Sequence, residues 1–210
     1  MYLPHISTYL GNRLNLTEPD VKDVAIEDIA HGLAFQCRFN GQTREFYSVA
    51  QHSLMVMSLV GEELKLTALL HDAAEAFLGD MVTPLKRMIP GYADIETVVL
   101  KTIGDRFGVN LAFMPPDIKR ADLIALATER RDLMHRATEP WSCLSGFDPL
   151  PDTIKPMGPA AAESAFLDAF NMLTAGLTEC GKIWNGSKNR TSGFIEDPWL
   201  EEPVEQRKAA

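Results

Sequence analysis

Residues 68–80 read ALLHDAAEAFLGD and set His71, Asp72 and Glu75 among alanine, leucine and phenylalanine. Burying an ionisable group without a partner costs several kcal/mol, so such a stretch calls for partners. His71 and Glu75 are four residues apart and share one face of a helix, with Asp72 on the flank. His52 falls on the apolar stripe Val49, His52, Val56, Leu59, and Asp122 sits between Ile118 and Ala125 on a later one. Taken singly, each has an ordinary explanation: a core histidine is usually hydrogen-bonded, and a mid-helix aspartate is usually solvated. Two histidines and two aspartates on inward faces are more simply explained by one shared divalent cation. Imidazole with carboxylate suits Zn, Co, Mn, Fe or Ni better than Ca or Mg. That ligand set leaves coordination positions open, as a catalytic site requires. A cation held there would lower the pKa of a water and polarise a phosphoryl oxygen.

These side chains need helices to carry them. Residues 1–30 read as a loop with a short strand near GNRLNL, a turn at Pro19-Asp20 and a short helix from about Ile26. Asn40-Gly41, with β-branched and aromatic residues on either side, predicts a β-hairpin over 34–47. Ser48 with Gln51 three residues on is a capping box opening the helix of His52, which Gly61 ends. Leu66, Leu69, Leu70, Ala73 and Phe77 predict a helix over 62–78, with Gly79 as its C-terminal cap. Ile95, Val98, Val99, Thr102, Ile103 and Phe107 make another, closed by Gly108. A fourth follows Pro115-Pro116, and a proline-rich loop over 138–159 leads to a last helix over 159–176. The expected fold is all-α with a small N-terminal β-hairpin. One domain is expected over 1–180, followed by a C-terminal extension over 181–210 with little independent structure. Trp184, Phe194 and Trp199 could dock that extension on its own subunit or on a neighbour in a homo-oligomer.

Composition narrows the partners. The chain is 46% hydrophobic and 23% charged, with a formal net charge of -9 and a pI near 5.0. An acidic chain of this kind does not present the basic face a nucleic acid needs, although a local basic pocket still suits a small phosphorylated substrate. Cys37, Cys143 and Cys180 are odd in number and far apart, which predicts reduced thiols rather than a disulfide scaffold or zinc ribbon. The first residues lack the basic start and apolar core of a signal peptide, and no segment approaches the length of a membrane span. A cytoplasmic chain with no membrane partner is the expectation.

The motifs resemble those of the HD-domain phosphohydrolases, whose pattern is a first His, a later His-Asp pair and a downstream Asp. His52, His71-Asp72 and Asp122 match it. SVAQHS followed by HDAAEAFLGDMVTPLK is similar to the bacterial HD-domain 5'-nucleotidases, whose second motif runs His-Asp, Glu, Gly-Asp, Thr-Pro and Lys. It is also similar to the phage deoxynucleoside triphosphate hydrolases of that superfamily, including those acting on dATP. The likeness spans residues 27 to about 133, and its specific motifs lie in 48–87.

The resemblance implies a helical fold with metal held by His52, His71, Asp72 and Asp122. It implies that Glu75 acts in catalysis, by positioning a water or helping to hold a second divalent ion, with Asp80 assisting nearby. It further implies that Arg38, about fourteen residues before the first His, binds substrate phosphate, with Phe39 as its aromatic neighbour and Lys86 after Thr-Pro as a further contact. The expected activity is metal-dependent hydrolysis of a small-molecule nucleotide, foremost 5'-nucleotidase action on deoxynucleoside monophosphates. The alternative is a deoxynucleoside triphosphate hydrolase. Alarmone hydrolysis and a non-catalytic nucleotide sensor are weaker readings, the latter because a sensor has no need of Glu75 and Asp80. Outside the motif, Arg44 is a second phosphate candidate. His31 either lines the pocket or ties down the hairpin, and His135 is a helix C-terminal cation. Glu129, one heptad after Asp122, either supports a metal ligand or forms an ordinary ion pair.

Overall fold

The computed structural model describes residues 4–135 and 139–179. The expected C-terminal extension over 181–210 lies outside the described residues. The chain is mostly helical with one small antiparallel hairpin near its start. That hairpin pairs β1 (His5–Ser7) with β2 (Arg13–Asn15), in register His5↔Asn15, Ile6↔Leu14, Ser7↔Arg13. It turns at Gly11, whose φ of 78° suits glycine. Leu14 is fully buried in the core, and the hairpin tip is held to the first helix, α1 (Ile26–Phe35). The Asp28 carboxylate accepts from the Leu10 N–H at 2.7 Å and from the Asn12 amide at 3.2 Å. His31 on α1 stacks on Tyr9 of the hairpin loop at 3.8 Å and meets Glu163 at 3.3 Å, so it ties the hairpin down.

The hairpin expected at 34–47 does not form. Asn40 and Gly41 have the positive φ that a tight hairpin turn needs, 51° and 73°. However, Phe39 before them is also left-handed at 55°, and the flanking segments share only the bridge Cys37↔Ser48. Leu33 and Ala34 are buried on α1, which keeps the first half of the segment helical through Phe35. The second half bonds elsewhere: the Arg44 N–H donates to Leu133 O at 2.8 Å, and its guanidinium donates to Asp132 O. Arg44 therefore joins this loop to the end of a later helix.

The next helix, α2 (Val49–Ser58), starts as its capping residues require, with Ser48 Oγ accepting from the Gln51 N–H at 3.1 Å. The Gln51 side chain does not close the box. It spans to the proline-rich segment, donating to Lys155 O and accepting from the Met157 N–H, both at 2.8 Å. The helix expected over 62–78 is divided into a 3-10 turn, α3 (Lys65–Leu69), and α4 (Glu75–Leu78), with the His-Asp pair in the turns between. There the hydrogen bonds tighten to three-residue spacing, from Ala73 N–H to Leu70 O and from Glu75 N–H to Asp72 O. Winding of about three residues per turn aligns Asp72 with Glu75, rather than His71 with Glu75.

A short α5 (Thr83–Lys86) precedes α6 (Tyr92–Phe107), α7 (Pro116–Leu133) and α8 (Pro159–Glu179). The main core gathers Ile29, Leu33, Leu69, Leu70, Ile103 and Phe166, with α8 lying against α1, α2 and α3. Gly32 lets α1 press onto α4, because a Cβ there would lie 2.8 Å from the Ala76 Cβ. A second apolar cluster, Val56, Ala68, Ile118, Ala121 and Ala125, fixes α7 against α2 and α3. The segment from 139 to 158 is strapped to α7 by side chains. Arg130 and Arg131 donate to Glu139 O and Asp152 O, and Asp132 accepts from the Ile154 N–H. No helix among the described residues is long and apolar enough to cross a membrane.

Candidate metal centre

Helix α2 and the turns between α3 and α4 bring together His52, His71 and Asp72, whose nearest ligand atoms all lie within 4.8 Å of one another. His52 is fully buried on α2. Its Nδ1 lies 2.7 Å from Glu129 Oε1, so Nδ1–H donates to that carboxylate and the Nε2 lone pair faces inward. His71 Nδ1–H likewise donates to Ala68 O at 2.8 Å, one turn back in the helix. Neither Nε2 has a hydrogen-bond partner among the described residues, and both are buried. Instead they face carboxylates. His71 Nε2 is 3.1 Å from Asp72 Oδ2, and His52 Nε2 is 3.5 Å from the same oxygen and 3.4 Å from Asp122 Oδ1.

With these tautomers, lone pairs point at lone pairs, an arrangement that needs a cation or added protons between them. The separations suit a cation: donor atoms about 2.1 Å from one ion stand roughly 3.0–3.4 Å apart. His52, His71 and Asp72 could hold a metal ion. Without one, protons take its place. Burial and Arg38 push the His52 imidazole down, but the Glu129 and Asp122 carboxylates outweigh them and carry it up to about 9. Burial opposes the charge of Asp72 and of Asp122, yet His71 and His52 respectively, as their foremost partners, hold each well below the usual carboxylate range.

Arg38 lies beside this centre and is buried. Its Nη2 meets Glu129 Oε2 at 3.2 Å, its Nη1 lies 3.7 Å from Asp72 Oδ2, and its Nε–H has no acceptor among the described residues. Burial disfavours the guanidinium charge, but Glu129 and Asp72 more than offset it. Glu75 is buried with Oε2 unpartnered among the described residues. Burial first, then the charges of Asp72 and Asp80, push its carboxyl well above the ordinary range.

The remaining expected site residues are placed as follows. Asp80 Oδ2 accepts from the Phe39 N–H at 3.2 Å, so it fastens the left-handed turn that follows Arg38. Phe39 lies under the Arg38 guanidinium at 5.2 Å. The Lys86 ammonium pairs with Glu96 at 2.6 Å and sits 5.4 Å from the Tyr92 ring centroid. Asp122 reaches the centre through Oδ1 while its Oδ2 holds Lys119 at 2.7 Å.

Glu129, expected either to support a ligand candidate or to form an ion pair, does both. It is fully buried, orients His52 and pairs with Arg38. A carboxylate behind a ligating histidine fixes its tautomer and raises its basicity. The signal was in the spacing: Ile118, Ala121, Ala125, Glu129 and Leu133 form one buried stripe of α7, with a carboxylate in an apolar position.

No protein-family model matches the chain. The uncharacterized protein YfdR of Escherichia coli is 38% identical over 173 residues, covering 80% of this chain and 95% of that protein. An uncharacterized protein of Rhodobacter capsulatus is 49% identical over 121 residues, covering 53% of this chain and 61% of that protein. With near full-length coverage of YfdR at this identity, the chain belongs to the YfdR family.

Proposed function

We propose that this chain is a metal-dependent phosphohydrolase of the HD type, acting on nucleotides and foremost on deoxynucleoside 5'-monophosphates. The observation that carries the reading is the convergence of two buried imidazole Nε2 atoms, unpartnered among the described residues, with the Asp72 carboxylate, next to a buried arginine. Asp122 is the fourth ligand in this reading, and the donor set favours Zn, Co, Mn, Fe or Ni. Such an ion supplies Lewis-acid chemistry, polarising a phosphoryl oxygen and acidifying a water. Charge balance supports it. Glu129, Asp72 and Asp80 act on one arginine, a field that repels an anionic ester until a divalent cation offsets it.

In this reading Arg38 binds and orients the phosphate through the guanidinium edge whose Nε has no acceptor among the described residues. Glu75 presents its Oε2, unpartnered among the described residues, to the attacking water and takes its proton. Glu129 keeps His52 in the tautomer whose Nε2 faces the centre. Arg38→Lys keeps one charge but loses the planar fork. It is expected to lower kcat/KM by about 10- to 100-fold, the worth of charge-assisted hydrogen bonds, while metal content stays intact. Unchanged kinetics would move the phosphate contact elsewhere.

The reading is tested by incubating the full chain with nucleoside mono-, di- and triphosphates and several divalent metals. Phosphate, pyrophosphate and triphosphate release would be measured with and without chelator. Chelator-sensitive phosphate release from monophosphates is the expected result. Triphosphate release would make it a deoxynucleoside triphosphate hydrolase, and no release from any nucleotide would exclude the proposal.

A further inference from the structure

Trp141 lies in the proline-rich segment at the start of the 3-10 turn Ser142–Leu144, outside the motifs that carry the phosphohydrolase likeness. Its ring is half-buried and belongs to neither apolar cluster of the core. It meets Phe39 with ring centroids 6.2 Å apart and planes tilted by 50°. The Arg130 guanidinium covers it at 5.2 Å. The rings thus continue a row that begins at the candidate centre: Arg38, Phe39, Trp141, Arg130.

Considerable structure is spent on holding this row. Phe39 and Asn40 are both left-handed, at φ 55° and 51°, a conformation that asparagine tolerates and that a bulky residue such as Phe39 rarely adopts. Strain of this kind persists where the surroundings over-determine it, and it concentrates at ligand clamps. Here the surroundings are specific: Asp80 accepts from the Phe39 N–H, and Arg38 N–H donates to Tyr47 O at 2.9 Å. Trp141 is fixed from the other side, because Arg130 donates to Glu139 O at 2.7 Å and Leu144 N–H donates to Trp141 O at 2.9 Å. The helix that carries Asp122 and Glu129 thereby also sets the position of the indole.

We infer that Trp141, with Phe39, forms the surface on which the nucleobase stacks, and that Trp141 is a specificity-determining residue. The inference rests on the nucleotide reading above and adds the part of the substrate that the centre itself does not contact. Two aromatic rings outside the core, beginning one residue from Arg38, suit a planar heterocycle joined to a phosphate through a sugar. Aromatic stacking accepts any base through its π-face, so the surface selects a nucleotide over a sugar phosphate more strongly than one base over another. Arg130 lies over the indole and holds its plane by a cation–π contact.

The test compares deoxyadenosine monophosphate with 2-deoxyribose 5-phosphate on the full-length wild type, Trp141→Phe, Trp141→Leu and Trp141→Ala. Equilibrium dialysis gives affinity and phosphate release gives kcat/KM. Loss of a stacking ring is expected to weaken nucleotide binding by about five- to a hundredfold in the Leu and Ala variants. The sugar phosphate should change by less than twofold, and Trp141→Phe should retain most of the nucleotide affinity. The Leu variant fills much of the indole's volume, so it separates loss of the π-face from collapse of the segment. Equal losses on both ligands, no loss on either, or no nucleotide binding by the wild type would overturn the inference. Hydrolysis that persists with Trp141-independent binding would overturn the base surface alone. Trp141-dependent binding without hydrolysis would uphold it and remove the phosphohydrolase reading instead.

Discussion

Glu75→Gln is expected to leave a folded chain that keeps its metal and loses on the order of 10² to 10⁴ in kcat. The side chain is buried at the first residue of α4, and its Oε2 has no partner among the described residues. A carboxylate that served only to secure the fold would be hydrogen-bonded, since leaving such an atom unsatisfied costs about 1–3 kcal/mol. Tight winding after the His-Asp pair sets Glu75 on the same side as Asp72 and therefore next to the centre. Glutamine keeps size and hydrogen-bonding capacity but removes the charge and the basicity, so it isolates the proton-accepting role. Steady-state phosphate release, normalised to folded and metal-loaded protein, is the measurement. Normal turnover in that variant would show that Glu75 takes no part in the chemistry.

Glu129→Ala has the second large expected effect, and it is an effect on the whole site. This carboxylate is fully buried between His52 Nδ1 and the Arg38 guanidinium, at 2.7 and 3.2 Å. Burial raises the cost of its charge, but Arg38 and then His52 hold the carboxyl below its usual range. Removing it strands a buried guanidinium and a buried imidazole N–H, which costs about 3–5 kcal/mol when one partner of a buried pair is lost. For a chain of this length that corresponds to a melting temperature lower by roughly 10 °C. Metal affinity should fall about 10- to 100-fold, because His52 loses the acceptor that fixes its tautomer. Differential scanning calorimetry and metal titration check the two halves separately. A variant with wild-type stability and wild-type metal affinity would reduce Glu129 to a bystander.

The helices were legible because their apolar residues repeat at helical spacing and their ends carry caps, as at Ser48, Gly79 and Gly108. His52, His71 and Asp72 were legible for the same reason in reverse, as ionisable groups on faces that otherwise read as core. The hairpin at 34–47 was misread because a turn dipeptide reports local conformation and not what the flanking backbone bonds to. Asn40 and Gly41 do turn, but Arg44 beyond them bonds to the end of α7 instead of pairing across the turn. Likewise the i, i+4 spacing of His71 and Glu75 assumed regular winding, which the three-residue hydrogen bonds replace. Asp80 and Lys86 were placed in the site by motif alone. Their partners among the described residues, the Phe39 N–H and Glu96, come from segments far apart in sequence or across a loop, which no local pattern encodes. Trp141 could not be found at all from spacing, since it reaches Phe39 only through a segment that α7 side chains hold in place.

The most direct test of the account is the transition-metal stoichiometry of the purified full-length chain, measured beside that of His71→Ala. His71 presents a buried Nε2 with no hydrogen-bond partner among the described residues and lies 3.1 Å from Asp72 Oδ2, so its loss removes a candidate ligand without removing a structural bond from that nitrogen. After equilibration with Mn, Co, Ni or Zn and exhaustive dialysis, the wild type should retain about one ion per chain, as expected for a two-histidine, two-aspartate site. The His71→Ala variant should retain almost none while keeping its helical circular dichroism. A wild type that binds no transition metal, or a variant that holds as much as the wild type, would contradict the metal centre and with it the proposed chemistry.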